Sequence, residues 1–281
     1  MLRVAVPNKG GLAEPAATIL SEAGYRRRTE SRELVLTDSA NAIEFYFLRP
    51  RDIAVYVGEG TLDAGITGRD MLLDSGARAR EVLALGFGNS TFRLAARPGT
   101  ASSVKDLQGL RIATSFAGLV ERYLAEHGVQ AQVIRLEGAV ETAIRLGVAD
   151  VIADVVETGA TLRRNGLETL GEPILTSEAV LVARTSGPEP PGLEAMVRRL
   201  QGVLVARTYV MMDYDIRTEQ LEAAVRIAPG LEAPTVSPLH REGWSAVRVM
   251  VPRADAQRLM DELWEIGARA ILVTDIHACR L

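Results

Sequence analysis

Asp150-Val-Ile-Ala-Asp-Val-Val-Glu-Thr-Gly-Ala-Thr-Leu162 is the stretch on which the reading of this chain turns. It begins as an apolar, largely β-branched run with one carboxylate, Asp154, inside it. It then changes to Thr158-Gly159-Ala160-Thr161, followed by Leu162-Arg163-Arg164. The apolar run reads as a strand buried on both faces, the kind found in parallel sheets. A Thr-Gly-x-Thr turn that leaves such a strand and opens a helix can cradle an anion. Glycine lets the backbone approach a phosphate, and threonine hydroxyls and free amides at the helix start donate to its oxygens. An ordinary βα turn with a capping threonine has the same local pattern, and the stretch alone leaves both readings open.

Upstream of this stretch, strands and helices alternate. Strands are predicted over 111–114 and 133–136, with helices over 119–126 and 139–146. In the last helix Val140, Ala143, Ile144 and Gly147 share one face, while Glu141 and Arg145 are spaced as an i,i+4 pair. This regularity predicts a second parallel α/β lobe over residues 91–177. The preceding region builds a first lobe: a strand over 2–6, a loop Pro7-Asn8-Lys9-Gly10-Gly11, and a helix over 12–23. Lys9 therefore sits on a strand-to-helix loop, where open α/β sheets place ligand-binding groups. Arg49-Pro50-Arg51-Asp52 leads into a helix over 53–57, and Thr67-Gly68-Arg69-Asp70 into another over 71–74. Asp70 either accepts from a ligand or simply favours a helix N-terminus. A further strand is predicted over 177–183, and the linker-like Pro188-Glu189-Pro190-Pro191-Gly192 precedes a long helix over 193–206. The remainder reads β-α-β-β-α-β, the ferredoxin-like order.

The bulk properties narrow the function classes. A chain of 281 residues suits two or three domains. Hydrophobic residues make up 47% and charged residues 24%, as in globular proteins. A net charge of −4 and a pI near 5.6 give no footprint for nucleic acid, and Arg26-Arg27-Arg28 is too short to change that. The single cysteine, Cys279, rules out an internal disulfide framework and points to a reducing, cytoplasmic setting. The first residues read as a strand and not as a secretory leader. No apolar run reaches the roughly 18 residues that a membrane-spanning helix requires. The three histidines lack metal-ligand spacing. A two-lobed small-molecule binding protein without catalysis is the main alternative that these features leave open.

The motif positions resemble those of the long-form ATP phosphoribosyltransferase family. They include Glu141 followed by Gly147-Val-Ala-Asp-Val-Ile-Ala-Asp154 and the Thr158-Gly-Ala-Thr161-Leu162 turn. Val-Pro-Asn-Lys-Gly at 6–10, Phe-Leu-Arg-Pro at 47–50 and Gly-Ile-Thr-Gly-Arg-Asp at 65–70 are similar to the same family. So is Ile-Gly-Ala-Arg-Ala-Ile-Leu-Val-Thr-Asp-Ile at 266–276, and the resemblance covers essentially the whole chain.

The resemblance implies a two-lobed, type II periplasmic-binding-protein-like catalytic region followed by a ferredoxin-like regulatory domain. The implied limits are 1–90 with 178–206 for the first lobe, 91–177 for the second, and 207–281 for the regulatory domain. It implies transfer of phosphoribosyl from phosphoribosyl pyrophosphate (PRPP) to N1 of ATP, with Mg²⁺ required. Histidine is the implied feedback inhibitor and AMP a further inhibitor, in a homodimer that interconverts with a homohexamer. Carried over by motif position, Glu157, Thr158, Gly159, Ala160, Thr161 and Leu162 take the 5-phosphate of PRPP. Asp70, with Thr67, Gly68 and Arg69, meets the adenine nucleotide, while Lys9 and Arg49 counter pyrophosphate or triphosphate charge. Asp154 is assigned to the ribose hydroxyls or to Mg²⁺, and histidine to Asp215, Leu231, Thr235 and Ala270. Adenine N1 already carries a lone pair, so no strong general base is expected. The task is positioning and stabilisation of charge.

Overall fold

The computed structural model describes residues 1–29 and 33–280. The chain divides into two compact units, Met1–Ser21 with Tyr25–Val197, and Glu22–Gly24 with Arg198–Leu281. In chain order the elements begin β1 (Leu2–Pro7), α1 (Ala13–Glu22), β2 (Val35–Asp38), β3 (Ile43–Leu48), α2 (Pro50–Gly58), β4 (Ala64–Gly68), α3 (Arg69–Ser75) and β5 (Ala79–Ala84). They continue β6 (Ser90–Ala96), β7 (Arg111–Thr114), α4 (Ala117–Glu126), β8 (Gln132–Arg135), α5 (Thr142–Arg145), β9 (Val151–Val156), α6 (Ala160–Arg164), β10 (Glu168–Ser177), β11 (Ala179–Arg184) and α7 (Leu193–Thr208).

The first unit is built on two sheets, β2-β3-β1-β4-β11-β5 and β10-β6-β9-β7-β8. In the first sheet β1 runs parallel to β3 and β4, while β11 runs against β4 and β5. In the second, β7 runs parallel to β8 and β9, and β6 runs against β9 and β10. In each sheet one reversed strand arrives from the other, since β6 follows β5 and β11 follows β10, while the edge strand β2 is also reversed against β3. Two lobes that exchange strands in this way form the type II periplasmic-binding-protein arrangement. Ligand groups in such folds collect at the carboxyl ends of the parallel strands, which face the cleft.

The second lobe is therefore mixed, not wholly parallel as the alternation of strands and helices suggests. That alternation carries no signal for the direction of a strand entering from another lobe. β10 has no counterpart in the sequence reading. Its burial alternates poorly and its pairing with β6 shifts between Leu170 and Leu175, so it lacks the period-two pattern of a strand. The helix expected over 139–146 contracts to α5. Gly138 and Ala139 before it and Gly147 after it all adopt positive φ, which ends helical geometry on both sides. Val140, Ala143 and Ile144 are buried as expected, but among the described residues Glu141 and Arg145 form no ion pair. α2 begins three residues earlier than expected, because Pro50 is well placed at the start of a helix.

β9 explains the local sequence. Val151 and Ala153 pack with Phe92, Leu94 and Ile112 on one face, and Ile152 packs with Ala95, Ala113 and Leu162 on the other. Asp154 falls on the Ile152 row, at the carboxyl end where the apolar cover stops.

The second unit carries β12 (Tyr209–Arg217), α8 (Leu221–Ile227), β13 (Thr235–Pro238), β14 (Trp244–Pro252), α9 (Ala256–Glu265) and β15 (Arg269–Asp275). Its sheet runs β13-β14-β12-β15 with every neighbour antiparallel, the ferredoxin-like order that the sequence predicts. Val210, Met212, Tyr214 and Ile216 of β12 and Val247, Val249 and Val251 of β14 form its core with Ala224, Leu259 and Leu263 of the helices.

Candidate active site

The turn after β9 encloses a cavity of about 320 Å³, lined by every residue from Asp154 to Leu162 together with Glu141 and Ile152. Gly159 caps α6 at φ 70°, left-handed backbone that a side chain rarely adopts. A Cβ there would also come within 3.1 Å of the Arg163 guanidinium. The turn is braced from behind. Arg163 donates to the Thr158 carbonyl at 3.1 Å, and the Asn165 carboxamide donates to the Thr161 carbonyl at 3.0 Å. Glu157, Thr158 and Thr161 remain exposed, while buried Leu162 anchors the helix in the core. The cavity thus combines an open Thr-Gly-x-Thr turn with three carboxylates, Glu141, Asp154 and Glu157. The turn offers donors to an anion. The carboxylates suit hydroxyl donors or a cation beside it.

Asp154 has its carboxyl pushed above the usual range, chiefly by burial, although the Val155 N–H donates to its Oδ1 at 2.8 Å. Glu141 and Asp70 push it further the same way and Arg51 opposes them. Asp70, in the first turn of α3, is likewise raised by burial. Its N–H donates to the Ser177 hydroxyl at 3.0 Å, and its Oδ1 accepts from the Met71 N–H at 2.9 Å. The two carboxylates, one from each lobe, are thus close enough for the charge of Asp70 to raise the Asp154 carboxyl further.

The other residues of the 67–70 turn make their own contacts with the first lobe and its neighbours. The Thr67 hydroxyl is fully buried and donates to the Pro50 carbonyl at 2.7 Å. A Cβ on Gly68 would fall 2.2 Å from Asp70 Oδ1. Arg69 forms two 2.8 Å bonds to Glu81 and a 3.2 Å bond to Glu178, which hold its guanidinium pKa above the usual value. Thr67 and Arg69 therefore turn their polar atoms to the protein.

Lys9 and Arg49 share a second, larger cavity of about 1070 Å³ between the lobes. It is also lined by Arg51 and Asp74 from the first lobe and by Gly118 and Arg135 from the second. The sequence reading passed over Arg51 as a site residue. Its Nη1 donates to the Ser115 carbonyl at 2.8 Å and lies 3.4 Å from Asp74, while its guanidinium stacks 4.1 Å from the Phe116 ring centroid. Nothing in the local sequence marks Arg135 for the larger cavity, and the motif that contains Glu141 gives it no role by itself. The proline at 50 was the available signal, because a helix starting there aims Arg51 from its first turn.

The four residues assigned to histidine are spread across the second unit. Asp215 lies on β12, opposite Ala246 of β14. Ala270 lies on β15 at φ 51°, in the irregular stretch where pairing with β12 shifts register between Asp213 and Asp215. Thr235 lies on the far edge strand, opposite Arg248, and Leu231 is exposed on the loop after α8. Asp215 and Ala270 are thus neighbours across one strand pair, and Thr235 is two strands away from Asp215.

Among the described residues no group of three or more His, Cys, Asp or Glu side chains could hold a metal ion. No described helix is long and apolar enough to cross a membrane.

Two sequence families match the chain, "HisG: ATP phosphoribosyltransferase" over residues 49–202 and "HisG, C-terminal domain" over residues 206–278. An ATP phosphoribosyltransferase from Streptomyces coelicolor is 64% identical over 286 residues, spanning 100% of both chains. One from Kocuria rhizophila is 66% identical over 281 residues, again spanning 100% of both. A solved ATP phosphoribosyl transferase (HisG:HisZ) complex from Thermotoga maritima superposes with a TM-score of 0.62 at 29% identity, covering 72% of this chain and 97% of that one. The chain belongs to the ATP phosphoribosyltransferase family of histidine biosynthesis, in the long form that carries the C-terminal domain.

Proposed function

We propose that the turn at Glu157–Leu162 holds the 5-phosphate of PRPP while N1 of ATP attacks C1 of the ribose and pyrophosphate departs. The observation that carries this reading is the cavity in which an open Thr-Gly-x-Thr turn faces Asp154 and Glu141. Loss of pyrophosphate leaves positive charge on the ribose, and carboxylates beside C1 stabilise that charge. Lys9 and Arg49, from the larger cavity, counter the triphosphate or the departing pyrophosphate. Asp70, with the Thr67-Gly68-Arg69 turn, meets the adenine nucleotide. Mg²⁺, if carried in on the substrate phosphates, would find Asp154 as a protein oxygen ligand and would supply charge neutralisation at the departing pyrophosphate.

We assign residues 1–90 with 178–206 and residues 91–177 to the two catalytic lobes, and residues 207–281 to a regulatory domain. Histidine binds that domain around Asp215, Leu231, Thr235 and Ala270, and AMP competes at the nucleotide site. Dimers and hexamers are the assembled forms, in the cytoplasm. The test is to mix the purified chain with ATP, Mg²⁺ and PRPP and to follow the ultraviolet spectrum. An adenine product with shifted absorption is expected, and binding of both substrates without turnover would leave a binding protein instead. Thr161→Ala should raise KM for PRPP about tenfold or more while KM for ATP stays nearly constant. Equal effects on both substrates would remove the phosphate from this turn.

A further inference from the structure

Beside the turn cavity, the second lobe holds another concavity of about 270 Å³. Arg97, which follows β6, Arg145 at the end of α5 and Arg164 at the end of α6 line it with Asn165 and Glu141. Three guanidiniums meet one carboxylate there, which leaves two positive charges unbalanced. None of the three guanidiniums has a hydrogen-bond or ion-pair partner among the described residues. Elsewhere in this lobe the pattern differs: Arg111 grips Asp150 through two side-chain bonds of 3.1 and 2.8 Å. Like charges gathered in a concavity repel one another and attract a counter-anion. Guanidinium forks match the oxygens of phosphate.

The site is joined to the turn cavity in two ways. Glu141 lines both. Asn165 lines the arginine pocket and donates from its carboxamide to the carbonyl of Thr161, a residue of the turn. We propose that the Arg97, Arg145 and Arg164 pocket binds a phosphate dianion, free or as a monoester, and that its occupancy alters the affinity of the neighbouring turn for its substrate. The coupling rests on the reading of the turn as the PRPP phosphate site; the binding itself does not.

The test uses the full chain at constant ionic strength, with chloride as the balancing anion. Inorganic phosphate and, separately, ribose 5-phosphate are titrated calorimetrically with Mg²⁺ and saturating PRPP present, so that the turn is filled. The wild type is expected to show saturable binding. Arg97→Gln combined with Arg145→Gln should raise Kd about tenfold or more, the effect of losing charge-assisted hydrogen bonds. The doubly lysine-substituted chain, Arg97→Lys with Arg145→Lys, keeps the charge and should fall between the two. Without added phosphate, KM for PRPP in the glutamine variant should stay within about twofold of wild type; with phosphate, only the wild type should shift. Binding of inorganic phosphate alone identifies the free ion as the ligand, and binding of both identifies a phosphate group in general. No saturable binding, or equal affinity in the glutamine variant, overturns the site. Absence of turnover in the wild type would instead sink the PRPP reading, because the difference between the two binding isotherms does not depend on chemistry.

Discussion

Replacing Arg51 by alanine should loosen the two catalytic lobes from each other. Arg51 belongs to α2 of the first lobe, but its partners Ser115 and Phe116 open α4 of the second. The bond to the Ser115 carbonyl contributes about 1 kcal/mol. Stacking on Phe116 contributes roughly 0.5–1 kcal/mol. The 3.4 Å pair with Asp74, with the Arg51 side chain 40% exposed, contributes roughly 0.2–1 kcal/mol after solvent screening. Together these come to about 2 kcal/mol, or about 4–8 °C in Tm for a unit of this size. Thermal unfolding checks that figure, and steady-state kinetics checks its functional consequence. A weakened lobe contact should lower kcat/KM for both substrates, since the site is assembled from both lobes. Arg51→Lys, which keeps the charge but loses the planar fork, should recover part of each effect. An Arg51→Ala chain with unchanged Tm and unchanged kinetics would show that the lobe contact is decorative and refute the reasoning.

Gly118→Ala probes the same contact from the other side. A Cβ there would sit 2.5 Å from the Asp74 backbone carbonyl, so the lobes must part, and kcat/KM should fall although no charge is lost. Asp154→Asn should abolish most turnover yet raise stability at neutral pH. The carboxyl is raised above its unfolded value, so the folded chain binds its proton more tightly. The ionised form therefore costs stability above the folded pKa, and that cost fades as pH falls below the unfolded value of about 3.9. Unfolding midpoints of the two chains should converge as pH falls toward that value, and an asparagine variant less stable than wild type at pH 7 would contradict the account. Asp215→Ala should relieve inhibition by histidine with kcat retained, and inhibition of unchanged strength would move the histidine site elsewhere.

Much of this architecture is legible in the residues because it follows from short-range periodicity. The apolar run to Val156 must be a covered strand, and the βαββαβ order of the second unit follows from its alternation. Failures of the reading concentrate where structure depends on distant partners. β10 is a strand because β6 lies beside it, not because its own residues alternate. The ion pairs of Arg69, for example, are made with Glu81 and Glu178, 12 and 109 residues away in sequence. Arg51 was missed for the same reason: its role lies in groups 23 and 64 residues away. The candidate turn, in contrast, is local: Asp154 to Leu162, which line its cavity, are consecutive in sequence.

The least intuitive property of the site is that a cavity assigned to phosphate is lined by carboxylates. In the proposed reading, backbone amides and threonine hydroxyls would hold the phosphate at the turn itself, with no cation needed there. Among the carboxylates Asp154, the residue proposed to meet the ribose, has its carboxyl raised, chiefly by burial. A desolvated carboxylate weakens the fold while it is unpaired, and in the proposed reading ribose hydroxyls, a metal carried on pyrophosphate or positive charge at C1 would give it partners. Asp70 and Asp154 stand on opposite lobes, and Arg51 of the first lobe bonds to Ser115 of the second, so the proposed site is complete only when both lobes are in register.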